Sequence, residues 1–162
     1  GMLILANGEK ISNEKLKRAE KLKVIGYLGA AANHLSLEIC NQNGIVVFDD
    51  PKCNPNNAKF IPTRVAGFMN QGATYLSVNF PNLQLPALEN SHRLIHIHKN
   101  VPGIMAQINK IFAKHDINIV GQFLMTKGDI GYCITDINTQ YDKQLFKSLK
   151  KIENTIKFRV LY

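Results

Sequence analysis

The order of hydrophobic patterns in residues 89–162 constrains the fold of this 162-residue chain more than any other feature. Residues 93–98 alternate between the two faces of a strand, and an apolar helical stripe follows them. Two further strand patterns lie at about 117–126 and 130–137, before a second helical stripe and a final alternating strand. The order βαββαβ predicts a ferredoxin-like sandwich of one antiparallel sheet and two helices.

Residues 2–88 follow a different pattern, in which short apolar strands alternate with short helices. The expected elements are a strand at residues 3–5, a helix from Ser12, a strand at 24–25 ended by Gly26, a helix at about 36–42, a strand at 45–48, a helix at about 58–70 and a strand at 75–80. A continuous apolar run such as 45–48 is typical of a parallel strand covered on both faces. The sequence therefore predicts an α/β domain over 2–88 and a second domain over 89–162.

Composition indicates a folded protein of a reducing compartment. Apolar residues make up 45% of the chain and charged residues 20%, which is the mixture of a soluble globular protein. Three cysteines without a Cys-x-x-Cys spacing favour a cytoplasmic protein over a disulfide-built one. No apolar run approaches the roughly 20 residues that a membrane span needs. The net charge of +8 is spread along the chain, which favours a solvated surface over a nucleic-acid interface.

Glycine-rich phosphate-binding patterns are absent from the sequence. Neither Gly-x-Gly-x-x-Gly nor a loop ending in Gly-Lys-Ser/Thr occurs. A dinucleotide needs such a loop at a helix N-terminus, so we expect the chain to bind no dinucleotide cofactor. His96 and His98 point to the same side of one strand, but they lack a third patterned ligand. They favour ordinary hydrogen-bonding roles over a metal site.

The segment from His98 to Gly103 is the most informative part of the chain for function. It joins a strand to a helix whose first amides lack intrahelical partners, and Gly103 lets a ligand approach the backbone. Unpaired amides and the helix dipole favour a carboxylate, and His98 and Asn100 can add directional hydrogen bonds. The alternative is an ordinary strand-to-helix turn with Asn100 as the helix cap.

Several sequence segments together carry a family resemblance. The C-terminal segments are RLIHIHKNVPG at 93–103, NKIFA at 109–113, Asn118-Ile119 and RVLY at 159–162, and the upstream segments are 22–26, 35–38, 44–48, 66–67 and 76–81. The first group closely resembles the ACT regulatory domain of bacterial D-3-phosphoglycerate dehydrogenase, which begins serine biosynthesis. Segments 22–26, 35–38 and 44–48 are similar to the first half of that family's substrate-binding domain, and segments 66–67 and 76–81 are similar to the segment just before its regulatory domain. The resemblance implies a truncated flavodoxin- or Rossmann-like remnant followed by a ferredoxin-like ACT domain.

The resemblance also implies that the catalytic parts of the family are missing. The family's nucleotide-binding domain lies where this chain has a short bridge from Asp50-Pro51 to Ala66-Gly67. The glycine-rich loop and the catalytic Arg, Glu and His have no counterpart here. The family's arginine-bearing phosphate loop corresponds to residues 6–8, which carry no positive charge, and its double-glycine hinge is replaced by Asn90-Ser91. We therefore expect no catalytic residues, no cofactor, no metal and no dehydrogenase activity.

The family's ligand-binding positions are retained. In the family, ACT domains pair side by side into an eight-stranded sheet, and L-serine binds at the dimer interface. The matching residues are His98, Asn100 and Asn118, with the backbone of Val101, Pro102, Gly103 and Ile104 beside them. We expect the serine carboxylate at the amides of residues 101–104 and the serine hydroxyl at His98.

The sequence thus predicts a non-catalytic, serine-binding regulatory protein linked to L-serine biosynthesis. We expect a homodimer through residues 89–162, with tetramers as a further option, because the first strand, Leu94–His98, lacks the charges that discourage edge pairing. The alternatives are a regulatory subunit of a full-length dehydrogenase, a degenerate remnant that binds nothing, and an RNA-binding module. An RNA-binding sheet stacks bases on exposed aromatics, and residues 130–135 offer only Tyr132.

Overall fold

The computed structural model describes residues 1–6, 8–52, 58–88, 90–138 and 143–162. These residues form two compact units, Gly1–Leu85 and Pro86–Tyr162. The sequence predicted the division between residues 88 and 89, and residue 89 itself lies outside the described residues. Cys53 and Asn7, which the sequence analysis used, lie outside them as well.

The first unit is built on a three-stranded parallel sheet in the order β1-β2-β3. Its elements are β1 (Met2–Leu5), α1 (Asn13–Arg18), β2 (Val24–Tyr27), a 3-10 turn (Ala31–Asn33), α2 (Leu37–Gln42), β3 (Val46–Asp49) and α3 (Phe60–Gln71). The hydroxyls of Ser12 and Ser36 accept from backbone amides in the first turns of α1 and α2, as N-caps do. The predicted α/β arrangement of this part of the chain is confirmed.

Gly26 lies inside β2 rather than ending it, which corrects the predicted strand at residues 24–25. Helix α3 crosses β2 at this point, and a Cβ on Gly26 would collide with the side chain of Ile61. The glycine is therefore needed for close helix–sheet packing, not for a turn.

The strand predicted at residues 75–80 is wrong. Leu76 has a φ of 63°, and the amide of Ser77 donates to the carbonyl of Thr74 (3.0 Å), so the chain turns here. The Val78 amide donates to the carbonyl of Val47 in β3 (2.8 Å). The side chain of Asn79 makes the neighbouring contacts: its Oδ1 accepts from the Val47 amide and its Nδ2 donates to the Ile45 carbonyl, both at 2.8 Å. An amide side chain thus replaces a fourth strand.

The second unit is the predicted ferredoxin-like sandwich. Its elements are β4 (His92–Lys99), α4 (Ile104–Lys114), β5 (Ile119–Lys127), β6 (Ile130–Ile137), α5 (Lys143–Lys150) and β7 (Thr155–Leu161). The strands form an antiparallel sheet in the order β5-β6-β4-β7. Both helices pack on one face of this sheet, where Leu94 and Cys133 meet Ile108, Phe112 and Leu149.

The first strand of this sheet, β4, is central and not an edge. It pairs with β6 on one side and β7 on the other. The argument that β4 would pair between two chains is therefore wrong, and its lack of charge reflects burial on both faces. The outer strands are β5 and β7, so any pairing of sheets between two copies must use one of these.

Across the described ranges, none of the helices has both the length and the apolar character required to span a bilayer.

Candidate functional site

The end of β4 meets the turn between β5 and β6. The amide of Asn100 donates to the carbonyl of Asp129 (2.8 Å), and its side-chain Nδ2 donates to the carbonyl of Gly128 (3.1 Å). Asn100 therefore fixes the loop before α4 against the hairpin turn. Its side chain remains exposed, so its carbonyl oxygen is open to a ligand.

The N-cap of α4 is Gly103, so the alternative in which Asn100 caps the helix is wrong. Gly103 has a φ of 86°, a conformation that glycine adopts without strain. No side chain of the described residues caps this helix. Residues 101–103 are exposed, but Pro102 has no N–H and the Val101 amide donates to the Lys99 carbonyl (2.8 Å), so the available amides begin at Gly103. This end of an 11-residue helix is suited to a carboxylate.

His98 is buried at the same end of β4. Its Nδ1 donates to the carbonyl of Lys99 (2.9 Å), and its ring packs against Gly131, where an added Cβ would collide with it. Burial lowers the pKa of His98, so the ring is neutral and its Nε2 is an acceptor. That Nε2 is buried and has no hydrogen-bond partner among the described residues. The Nε2 of His98 is therefore an unused hydrogen-bond acceptor behind the exposed loop at residues 101–103.

His96 stands next to His98, and their ring centroids are 5.4 Å apart. Thr155 Oγ1 gives its one proton to the carbonyl of Ile152 (2.7 Å), so it accepts from Nε2 of His96 (2.9 Å). Burial and then the neighbouring His98 lower the pKa of His96 to about 4. The described part of the chain has no cluster of three or more His, Cys, Asp or Glu that could hold a metal ion. His96 thus has a hydrogen-bonding role.

Asn118 lies at the opposite end of the sheet from His98. It precedes β5, whose first residue, Ile119, pairs with Ile137, and Ile137 pairs with the first residue of β4. His98, near the other end of β4, pairs with Gly131. The nine residues of β5 at about 3.3 Å each span roughly 30 Å. One chain therefore brings His98, Asn100 and residues 101–104 together but not Asn118.

The loop after β1 holds the carboxylate of Glu9, which is followed by the exposed Lys10. The Oε2 of Glu9 accepts from the amide of Ala6 (2.9 Å). The hydroxyl of Tyr27 accepts from the Gly8 amide and donates to the Glu9 carbonyl, both at 3.1 Å. The Ala6 amide is thus already bonded to a carboxylate of the chain itself.

Two features of the structure were missed from the sequence. Arg93 and Asp136 form a buried ion pair across β4 and β6, which only the strand register brings side by side. Arg64 on α3 and Tyr75 line a cleft, and the sequence indicated this cleft only through the small residues Ala66 and Gly67.

Tyr132, the aromatic considered for base stacking, is 0% exposed. The sheet therefore offers no stacking platform at that residue.

Comparison with known proteins defines the class of each part of the chain. Residues 94–157 match the AHAS small subunit-like ACT domain family. Residues 1–58 match the catalytic domain of the D-isomer specific 2-hydroxyacid dehydrogenases. The second unit is therefore similar to an ACT domain, and the first is similar to part of a dehydrogenase catalytic domain.

Several individual proteins that are similar to the chain carry the name D-3-phosphoglycerate dehydrogenase. The chain is 44% identical over 95 residues to D-3-phosphoglycerate dehydrogenase of Haemophilus influenzae, covering 59% of this chain and 23% of that protein. It is 40% identical over 97 residues to the Escherichia coli enzyme, with the same coverage. The D-3-phosphoglycerate dehydrogenase 1 of Saccharomyces cerevisiae is 36% identical over 109 residues, covering 63% of this chain and 23% of that protein. The predicted resemblance is confirmed, and the chain spans less than a quarter of the length of these relatives.

Solved structures with a similar fold include ACT domains. The ACT domain from GTP pyrophosphokinase of Chlorobium tepidum aligns with a TM-score of 0.40 and 22% identity, over 44% of this chain and 96% of that one. The regulatory subunit of aspartate kinase from Thermus thermophilus aligns with a TM-score of 0.38 and 16% identity, over 46% and 52%.

Proposed function

We propose that this chain is a non-catalytic, L-serine-binding regulatory protein of L-serine biosynthesis, active as a homodimer through its ACT domain. The relatives named D-3-phosphoglycerate dehydrogenase support the link to that pathway. The absence of a glycine-rich dinucleotide loop from the sequence and the lack of positive charge at residues 6–8 support the loss of catalysis. The buried free thiols of Cys40 and Cys133 are in keeping with a cytoplasmic location.

The separation of Asn118 from His98 and Asn100 is the observation that carries the proposal. A two-fold axis at Phe123, the middle residue of β5, would pair this strand with its copy. Ile119 of one chain would then face Lys127 of the other. Asn118 of the partner subunit would stand beside the turn at Gly128, whose carbonyl accepts from Asn100. Two chains would complete two equivalent sites.

The surface of β5 supports pairing at this edge. Val120, Leu124 and Met125 are 59%, 42% and 38% exposed, which is unusual for apolar side chains of a strand. Strand pairing would satisfy the backbone groups of the outer strand and cover these side chains.

Within such a site each group of serine has a partner. The carboxylate meets the amides of Gly103 and Ile104 at the positive end of the α4 dipole, because Pro102 has no N–H and the Val101 amide donates to the Lys99 carbonyl. The Nε2 of His98 accepts the proton of the serine hydroxyl, which alanine lacks. The side-chain amides of Asn100 and of the partner subunit's Asn118 accept from the ammonium group.

Calorimetry on two single variants and their mixture tests the shared site. Asn100→Ala and Asn118→Ala should each weaken serine binding about ten- to a hundredfold, because each leaves a polar group of the ligand unpaired. In a mixed dimer, one site would regain both asparagines and the other would lack both. In an equilibrated equimolar mixture half of the dimers are mixed, so mixing should restore tight binding with about a quarter of the wild-type stoichiometry.

Three results would contradict the proposal. Wild-type protein that gives no heat with excess L-serine would rule out serine binding, and a mixture as weak as its components would rule out a shared site. Saturable enhancement of NADH fluorescence by the wild type would contradict the loss of the cofactor site.

A further inference from the structure

A cleft in the first unit lies between α3 and the segment that follows it. Its volume is about 340 Å³, which lies in the lower range of small-molecule sites. The residues that define its chemistry are Thr63, Arg64, Gly67, Asn70, Tyr75 and Gln84. None of the described residues that line it is acidic.

Arg64 is the one charged residue of the lining, and two aromatic rings hold its guanidinium group. The guanidinium carbon lies 5.4 Å from the ring centroid of Phe60 and 5.0 Å from that of Tyr75. These are cation–π distances, so both rings stabilise the charge of the guanidinium group. The Nε of Arg64 is nevertheless buried without a hydrogen-bond partner, and Arg64 forms no ion pair with the described residues. A buried, unpaired donor on a charged group costs folding free energy.

Arg93 shows how a buried guanidinium group is normally hydrogen-bonded. Its Nε donates to Oδ1 of Asp136 and its Nη2 donates to Oδ2, each at 2.7 Å, so one carboxylate takes the whole edge of the guanidinium group. The guanidinium group of Arg64 contacts two aromatic rings but has no carboxylate partner among the described residues. We propose that this cleft binds a small organic acid whose carboxylate takes the Nε–Nη edge of Arg64. Because Nε is buried, the side chain of Arg64 must rotate on binding to turn that edge toward the cleft.

The remaining walls fit the body of such an acid. A Cβ on Gly67 would meet no atom within 4 Å, so the helix surface beside Arg64 is open. Asn70 and Gln84 are exposed on the rim and can bind a second polar group of the ligand. The site therefore favours a short dicarboxylate or hydroxy acid over an apolar compound.

Titration of the full-length, isotope-labelled protein with succinate, followed by amide chemical shifts, tests this proposal. Succinate should give saturable shifts at Gly67, Asn70 and Tyr75, and neutral succinamide should give none. Inorganic phosphate distinguishes a carboxylate site from a general anion site. Binding of phosphate as tight as that of succinate would overturn the carboxylate assignment.

Two variants and two matched controls complete the test. Arg64→Gln should weaken succinate binding at least about tenfold, because it removes a charge-assisted bidentate contact. Arg18→Gln removes the same charge from exposed α1 and should leave binding unchanged. Gly67→Leu should abolish binding by filling the cleft, while Gly67→Ala leaves most of the space and should retain it. Equal affinity in Arg64→Gln and the wild type, or an absence of saturable shifts in the wild type, would refute the proposal.

Discussion

At the scale of single residues, the two adjacent histidines of β4 show how burial selects a protonation state. Each ring is placed by one hydrogen bond, from His96 to Thr155 and from His98 to the Lys99 carbonyl. Burial is the main reason that the pKa of each falls below its usual value. Neutral rings are therefore a condition of the native packing of this unit.

The stability of the protein should fall as the pH falls from about 6.5 to about 4, since the pKa of His96 drops from 6.5 to about 4 on folding. In that window the unfolded chain binds more protons than the native protein, so acid favours unfolding. The shift of His96 corresponds to a loss of about 3 kcal/mol in the free energy of unfolding, and the lowered pKa of His98 adds to it.

Urea unfolding at a series of pH values measures this loss. The chain has no tryptophan, so far-ultraviolet circular dichroism is the suitable probe. The variant His96→Gln, which cannot take up a proton, should show a shallower dependence on pH below 6.5. An unchanged slope in the double variant His96→Gln/His98→Gln would show that other groups cause the acid sensitivity.

At the scale of secondary-structure elements, the ion pair between Arg93 and Asp136 links β4 to β6. Arg93 is 0% exposed, and both carboxylate oxygens of Asp136 accept from it at 2.7 Å. Breaking the pair from one side leaves a buried charge without its partner. We expect Asp136→Asn to lower the free energy of unfolding by about 3–5 kcal/mol.

A double-mutant cycle separates the free-energy cost of an unpaired buried charge from the stabilisation that the ion pair provides. Arg93→Met combined with Asp136→Leu removes both charges and should be considerably more stable than Asp136→Asn. Strictly additive losses in the double variant would mean that the two side chains do not stabilise each other.

The element order was predictable because it depends on local periodicity, whereas the errors came from interactions between distant residues. The alternation at residues 75–80 contains no sign that Leu76 turns the chain or that Asn79 bonds to β3. The apolar character of β4 was visible in the sequence, but it was interpreted as that of an edge strand that pairs between two chains. In the structure β4 is paired with a strand on each side. His98 and Asn100 are close because they are close in sequence. The position of Asn118 required the strand register.

At the scale of the whole molecule, the outer strand β5 is the surface on which assembly depends in our proposal. A lysine in place of Leu124 would bring two added charges close together across a β5–β5 pair and oppose their burial. Leu124→Lys should therefore raise the dimer dissociation constant at least about tenfold, a cost of roughly 1.4 kcal/mol. Its fold should be retained, because Leu124 is 42% exposed in the single chain.

Sedimentation equilibrium over a range of concentrations measures this change. Gln144→Lys adds the same charge to an exposed position of α5, a helix that contacts β7, and serves as the control. A wild type that is monomeric at every concentration, or a dimer indifferent to Leu124→Lys, would exclude β5 as the interface.

The side chain of Asn79 has a consequence for how far the parallel sheet of the first unit can grow. The side-chain amide of Asn79 bonds to the backbone amide of Val47 and to the carbonyl of Ile45. These two backbone groups therefore cannot pair with a further strand at the β3 edge. The opposite margin is β1, where Met2 and Ile4 are 56% and 47% exposed. A sheet that accepts strands on one margin only can join to one further copy and then stops. The Asn79 side chain, together with the Val78 amide, therefore opposes the growth of a fibre through this edge of the sheet.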